Sequence, residues 1–168
     1  MKEFFIPTFD EPLSMVLTCH DRVRHFARLS RRLGAHIAER GADDEAAQAA
    51  ASILRYFDIA APLHHADEEQ DLFPALRALN VPTLDLTIDA LEAEHEDLER
   101  LWQSIRPWLG ATTRHELVAQ PDTLPEFAAR YVQHAEQEEA ELYGAMASLS
   151  YSVLVSIGRS MSARRTVK

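Results

Sequence analysis

Two segments of the chain, 70 residues apart, repeat one pattern and thereby constrain the fold more than any other feature. In each segment a phenylalanine precedes a histidine by seven residues, and a glutamate follows that histidine by four. Spacings of four and seven residues return to one face of an α-helix. The pattern predicts an internal pseudo-repeat of two helices with matching inner faces. The two sets are Phe57, His64 and Glu68, and Phe127, His134 and Glu138.

Apolar periodicity and turn residues predict helices along nearly the whole chain. Glycine and proline together supply only 13 residues, whereas alanine and leucine supply 45, a composition that favours helix. Pro62 and Pro74 predict a kink and a distorted final turn within the second helix. The predicted helices cover residues 11–39, 44–79, 84–109, 124–147 and 150–163, the last being short.

Turn residues mark the helix ends. Pro12 lies in the first turn of the first helix, and Gly41 offers its C-terminal stop. Asp43 or Asp44 can cap the second helix. The sequence Thr-Leu-Pro-Glu over 123–126 predicts a capping box at the start of the fourth helix, after a loop over 110–122.

Four long helices joined by short connections predict an all-α fold. Because sequential neighbours with short loops run antiparallel, the economical topology is an up-down-up-down antiparallel four-helix bundle with a short C-terminal fifth helix. The bundle would cover about 11–148, and residues 1–168 would form a single domain, since this length suits one core.

Histidines from the four long helices are predicted to lie at one level of the bundle. Two residues of an antiparallel hairpin are level when the turn lies midway between them. His20 and His64 have their midpoint at 42, His64 and His95 at 79.5, and His95 and His134 at 114.5, each within a predicted turn or loop. The remaining histidines do not meet in this way and are predicted to be surface or packing residues: His25, His36 and His115.

The choice between two adjacent histidines on the second helix depends on helical faces. His64 continues the stripe of Phe57 and Ala61, whereas His65 shares a face with Asp58. The pattern therefore favours His64 as the inward-facing residue. An isolated pair with this spacing is usually a solvated contact, but two matching copies argue against that reading.

Imidazoles and carboxylates in the core together indicate a metal site, because buried carboxylates without a cation are costly. A single cysteine, Cys19, excludes a cysteine-based zinc site. Four imidazoles and two bridging carboxylates suit a dinuclear centre of two non-haem iron ions with an oxo or hydroxo bridge, although manganese or zinc could occupy it. The predicted ligands are His20, His64, Glu68, His95, His134 and Glu138.

The charge balance excludes some partners. With 17 basic and 27 acidic residues the net charge is −10, which disfavours general attraction to nucleic acid or anionic lipid. The segment 142–168 has no acidic residue, and its basic side chains are predicted to form a solvated surface rather than a binding arm. Residues 1–10 lack the features of a signal peptide and no apolar run is long enough for a membrane helix, so we expect a cytoplasmic protein.

The combined pattern resembles the hemerythrin-like family of HHE cation-binding domains over about 13–143. Its hallmark is a histidine on the first and third helices and His-x-x-x-Glu on the second and fourth, matched here by the six residues named above. The resemblance implies a non-haem diiron four-helix bundle. Family members carry or sense dioxygen, handle iron or reactive oxygen and nitrogen species, or repair iron centres, so the resemblance leaves the activity open.

One departure from the family pattern concerns oxygen carriage. Oxygen-carrying members have a second histidine four residues after the first on the third helix, where this chain has Glu99. The ligand set is more similar to that of the iron-centre repair proteins, but those have an additional cysteine-bearing segment. Here only Cys19 exists, and it is predicted to be a buried structural thiol.

The sequence thus predicts a diiron protein that reacts with dioxygen or another small oxidant. Whether it is an enzyme is left open, no catalytic residue is assigned, and a homodimer is compatible with the pattern. The alternative is a bundle with a purely structural metal that acts as a partner-binding or dimerisation module. In that case the basic tail or the region of Trp102 and Trp108 would dock the partner.

Overall fold

Five helices follow one another through residues 8–166, the part of the chain that this computed structural model describes. No strand occurs within these residues, so the predicted all-α class is confirmed. The segment examined for a signal peptide lies largely outside the described residues, as does Lys168 of the basic tail. The helices are α1 (Pro12–Arg40), α2 (44–77), α3 (Pro82–Thr112), α4 (Leu124–Met146) and α5 (Tyr151–Thr166).

Helix α2 is continuous but contains two π-helical segments, Tyr56–Ala60 and Glu68–Leu72. Each segment ends two residues before a proline, Pro62 or Pro74. Proline lacks an N–H group, and its ring presses on the carbonyl four residues earlier, so the wider turn of a π segment gives it room. The chain therefore widens before each proline, where the sequence predicted a kink and a distorted last turn.

The helix ends agree with the predicted turns except at two places: α3 continues to Thr112, into the predicted loop over 110–122, and the start of α4 has a different cap. Asp43 caps α2 by accepting a hydrogen bond from the Ala46 N–H at 2.9 Å, and Gly41 has a positive φ of 80° after α1. The predicted capping box was wrong. Thr123 has helical backbone angles, which do not suit a cap, and its Oγ1 lies 2.7 Å from Ser104 Oγ of α3.

The first four helices contact one another as a ring, in which each helix packs against two others. α1 packs against α2 and α4, and α3 packs against the same two helices. α5 packs on α1 and on the middle of α2. This order is the one expected of a four-helix bundle, while its alternating direction and the single-domain organisation of 1–168 stay predictions.

Two apolar clusters divide the core and leave the histidine layer between them. One contains Phe57 and Phe127, the phenylalanines of the pseudo-repeat, whose ring centroids lie 4.9 Å apart. The other includes Leu72 and Leu142, which follow the two glutamates by four residues. The repeated pattern therefore packs against itself on both sides of the layer.

Two surfaces that the alternative function would use are not free for docking. Trp102 and Trp108 are both buried in the core. Arg164 and Arg165 of α5 form ion pairs with the buried Asp67, so this part of the tail is not the solvated surface that the sequence predicted. Among the described helices, none combines the length and apolar character needed to cross a membrane.

Candidate metal centre

The four histidines with midpoints in the turns come together in the structure, one from each of α1 to α4. All are between 1% and 4% exposed. The rings of His20 and His64 have centroids 5.0 Å apart, and those of His95 and His134 lie 4.8 Å apart. The layer therefore consists of two pairs of imidazoles.

Glu68 of α2 lies between the two histidine pairs. Its Oε1 is 3.2 Å from His64 Nε2 and 3.5 Å from His20 Nε2. Its Oε2 is 3.5 Å from His95 Nε2. The carboxylate therefore offers one oxygen to each pair, which is the arrangement that a bridging ligand requires.

Glu138 of α4 has the same relation to the pairs from the other side. Its Oε2 is 3.0 Å from His20 Nε2, and its Oε1 is 3.4 Å from His134 Nε2 and 3.8 Å from His95 Nε2. Both glutamates are almost fully buried. The structure thus brings together all six residues that the sequence predicted as ligands.

A second set of carboxylates orients the imidazoles from outside. The Nδ1–H of a histidine that donates to a carboxylate leaves the Nε2 lone pair to face the centre, and such contacts are usual around metal-binding histidines. His64 has no such partner within residues 8–166, where its Nδ1 is buried and unpaired. The contacts are His20 Nδ1 to Glu139 Oε1 at 3.0 Å, His95 Nδ1 to Glu69 Oε1 at 2.6 Å, and His134 Nδ1 to Glu94 Oε2 at 3.1 Å.

Sequence reasoning missed these outer carboxylates, although a signal for two of them was present. Glu69 and Glu139 directly follow the inner glutamates in both copies of the repeat, so the doubled glutamate is itself repeated. Arginines hold two of the outer carboxylates in place. Arg24 donates to Glu139 at 2.9 Å, and Arg130 donates to Glu94 at 3.1 Å.

The inner atoms of the cluster fit a cation. His20 Nε2, Glu68 Oε2 and both oxygens of Glu138 are buried without a hydrogen-bond partner among the described residues, which is costly unless a positive charge lies between them. His95 Nε2 and His134 Nε2 are 3.0 Å apart. Two nitrogens bound at right angles to one ion at about 2.1 Å would be separated by about 3.0 Å.

Protons and a cation compete for these atoms. Burial opposes the charged form of His20, but the nearby carboxylates of Glu138 and Glu68 outweigh it and raise its pKa to about 10. Burial and the charge of Glu138 raise the pKa of Glu68 to about 7. Burial also acts on Glu138, where the nearby imidazoles of His134 and His20 overcome it and lower the pKa. The cluster therefore retains positive charge in the form of protons when no metal is bound.

His65, which the sequence ranked below His64, also lies at the centre. His20, His64, Glu68 and Glu138 form one group of converging donors, and His65 forms a second with His95 and His134. The expected face was wrong because Asp58 lies within a π segment, Tyr56–Ala60, which changes the helical register before His65. Asp58 instead binds the Trp102 Nε1–H at 3.1 Å.

The other candidate side chains lie away from the centre. His36 Nε2 contacts Asp43 Oδ1 at 2.9 Å, His115 Nδ1 contacts the Ala42 carbonyl at 2.9 Å, and His25 is exposed. Glu99 is exposed and accepts a hydrogen bond from Gln103. Glu99 therefore does not supply a donor at the position where oxygen carriers have a histidine.

Comparisons with known proteins agree with this geometry. The family model described as the hemerythrin HHE cation binding domain matches residues 11–146, which include all six inner donors. An uncharacterized protein of Haemophilus influenzae is 34% identical over 167 residues, covering 96% of this chain and 94% of that relative. The chain belongs to the hemerythrin HHE cation-binding domain family.

Proposed function

We propose that the protein binds two iron ions and reacts with dioxygen or with reactive oxygen or nitrogen species, within an up-down-up-down four-helix bundle. The observation that carries this proposal is the placement of the two buried carboxylates, each with one oxygen towards each histidine pair. The ligands would be His20, His64, Glu68, His95, His134 and Glu138.

The type and number of donor atoms favour iron over manganese and zinc. Two histidines and two shared carboxylate oxygens leave each ion short of six donors, and mixed imidazole and carboxylate sets with open positions suit non-haem iron. Manganese and zinc accept the same donors, and metal analysis of the purified protein distinguishes the three metals. When bound, an iron pair supplies one-electron redox steps and sites for small oxidants.

The protein's own residues would keep the ligands oriented and dry. The outer carboxylates hold the Nδ1 protons of three histidines, which leaves Nε2 free for the metal. The apolar clusters on both sides exclude water from the layer. No electron donor or catalytic residue is assigned.

Reaction with an oxidant is proposed in preference to reversible oxygen carriage. The exposed position of Glu99 leaves the third helix with one inward imidazole, so a metal held by His95 would lack the second imidazole of the oxygen carriers. Anaerobically reduced protein mixed with oxygenated buffer should oxidise and should not return to the colourless diferrous form when oxygen is removed. Full, repeated recovery without added reductant would restore the carrier hypothesis.

Metal analysis and an absorption spectrum of freshly purified protein test the metal assignment. We expect about two iron atoms per chain and near-ultraviolet and visible absorption from an oxo-bridged diferric site. Replacing a bridging carboxylate should lower the iron content sharply, so Glu68→Ala and Glu138→Ala should each lose metal. Glu136→Ala, on the exposed side of α4, is the matched control.

Three outcomes would contradict parts of the proposal. Two irons in both bridge variants would refute the ligand assignment. A colourless protein filled with zinc would favour the structural-metal alternative. Protein that takes up no metal would refute the metal centre altogether.

A further inference from the structure

His65 gives the two halves of the metal centre different surroundings. It lies beside His95 and His134, with one of its nitrogens within 4.8 Å of a nitrogen of each, whereas the half formed by His20 and His64 has no fifth imidazole among the described residues. His65 is also partly exposed, while the other four histidines of the layer are buried. His65 is therefore the most solvent-accessible histidine of the layer.

The ring geometry argues against His65 as a further metal ligand. Its ring is stacked on that of His95, with centroids 3.9 Å apart and planes inclined by only 7°. An imidazole lone pair lies in the plane of its ring, so two stacked rings cannot direct their lone pairs at one ion about 2.1 Å from each nitrogen. By contrast, His95 and His134 are inclined by 66°, which lets both face the same point.

The nitrogens of His65 are free to act on something else. Among the described residues neither nitrogen forms a hydrogen bond to protein, and the ring also lies near those of His134 and Tyr131, with centroids 6.1 Å and 6.3 Å away. A neutral imidazole carries one N–H donor and one acceptor. These groups lie next to the half of the centre that His95 and His134 form.

We propose that His65 contacts an exogenous ligand and does not itself bind the metal. It would donate a hydrogen bond to, or accept one from, a small anion bound to the metal that His95 and His134 would hold. The same side chain stacks on His95 and holds that ring in place. Small exogenous ligands would therefore bind preferentially in this half of the centre. This inference rests on the proposed diiron function.

Two substitutions separate the hydrogen bond from the stacking. His65→Phe keeps an aromatic ring against His95 but removes both nitrogens, and His65→Gln keeps a hydrogen-bonding group but removes the ring. His25→Phe, at an exposed position of α1, is the matched control. Far-ultraviolet circular dichroism checks that each variant is folded, and metal analysis is done on every sample.

The probe is azide, titrated into the oxidised, metal-loaded protein and followed by its visible charge-transfer absorption. We expect every variant to retain two metals. His65→Phe should weaken azide binding by about tenfold, the loss expected for one hydrogen bond, and His65→Gln should bind more tightly than His65→Phe. His25→Phe should match the wild type.

Two results would contradict the proposed role of His65, and a third would contradict the diiron function on which it rests. Loss of one metal in both His65 variants would show that His65 is a ligand and overturn the inference. Wild-type azide affinity in His65→Phe would reduce its role to stacking and also overturn it. A wild-type protein without two metals would refute the proposed function itself, and only that result would do so.

Discussion

At the scale of single residues, the outer carboxylates determine how the histidines face the centre. His20 donates through Nδ1 to Glu139, which Arg24 holds at 2.9 Å, so the imidazole is fixed from behind. The Nε2 atom of an imidazole that is fixed in this way needs little reorganisation to bind a metal. The affinity of the centre should therefore depend on residues that do not touch the ion.

Glu139→Gln tests this dependence. The amide oxygen still accepts a hydrogen bond, but the negative charge behind His20 is lost, and we expect metal affinity to fall by about tenfold or more. The measurement is competition with a chelator of known affinity. Glu141→Gln, two residues further along α4 and exposed, should have no effect. Equal affinities for both variants would show that the outer carboxylate is only structural.

Cys19 provides a residue-scale prediction that depends on pH. Burial raises the pKa of its thiol from 9.0 to about 11. At pH 8 the native thiolate fraction should be about a hundredth of that in the unfolded chain. A thiol reagent should therefore react about a hundredfold more slowly with native than with denatured protein. The rate with native protein should rise as the pH approaches 11.

The chain has a single cysteine, so this reaction reports on one site. The sign of the effect on stability follows from the raised pKa. Folding favours the protonated thiol, and that contribution is complete below pH 9 and is lost as the pH rises towards 11. Cys19 is partly exposed, not fully buried as the sequence predicted. Equal reaction rates in native and denatured protein at pH 8 would contradict the raised pKa of its thiol.

At the scale of elements, helix α2 carries the largest departure from regular geometry. Its π segments precede Pro62 and Pro74, and the second begins at Glu68 itself. π turns are rare and often occur at functional sites. Here they flank the regular α-helical segment Ala61–Asp67, which carries His64 and His65, and so set the rotation at which this segment faces the centre.

The cap of α2 supports this helix from its N-terminus. The Ala46 N–H, and then His36, lower the pKa of Asp43 below 3.8. The charged cap therefore stabilises the fold above about pH 4, and this contribution is lost as the pH falls through the lowered pKa. Asp43→Ala should lower the melting temperature of the protein at pH 7.

Asn is a good capping residue without a charge, so Asp43→Asn separates the hydrogen bond from the electrostatic part. We expect Asp43→Asn to melt between the wild type and Asp43→Ala at pH 7, and its difference from the wild type to shrink in acid. Identical melting temperatures for all three proteins would show that the cap does not contribute.

At the scale of the whole molecule, α5 is tied to the helix that carries two of the proposed ligands. Arg165 Nη2 lies 2.6 Å from Asp67 Oδ2, Arg164 also pairs with Asp67, and Arg164 Nη2 is 2.7 Å from Asp71 Oδ2. Asp67 is 1% exposed and directly precedes Glu68. A buried carboxylate without its partners is costly, so these pairs couple the position of α5 to the metal layer.

The double substitution Arg164→Ala with Arg165→Ala should therefore destabilise the fold by about 3 kcal/mol, the lower end of the cost of leaving a buried charge unpaired. Urea unfolding of the metal-free protein measures the loss. Arg159→Ala, exposed on α5, should change the free energy of unfolding little. If both variants unfold alike, the pairs with Asp67 are not a tertiary anchor.

The helices, the histidine layer and the six inner donors could be predicted from the sequence alone. These features depend on helical periodicity and on turn positions, which are local properties of the chain. Gly41 and Asp43 mark their turn whatever packs around them. The equal arms on either side of each turn then place His20, His64, His95 and His134 at one level.

The tertiary structure decided the contacts that depend on how each helix is rotated. The capping box at Thr123 was wrong because its hydroxyl contacts Ser104 of a neighbouring helix. The position of His65 depends on an additional residue in a π turn, which periodicity does not report. Pairs such as His95 with Glu69 join different helices, and single-sequence patterns contain no information on such partners. Local spacing determined which residues meet, and packing determined which atoms face one another.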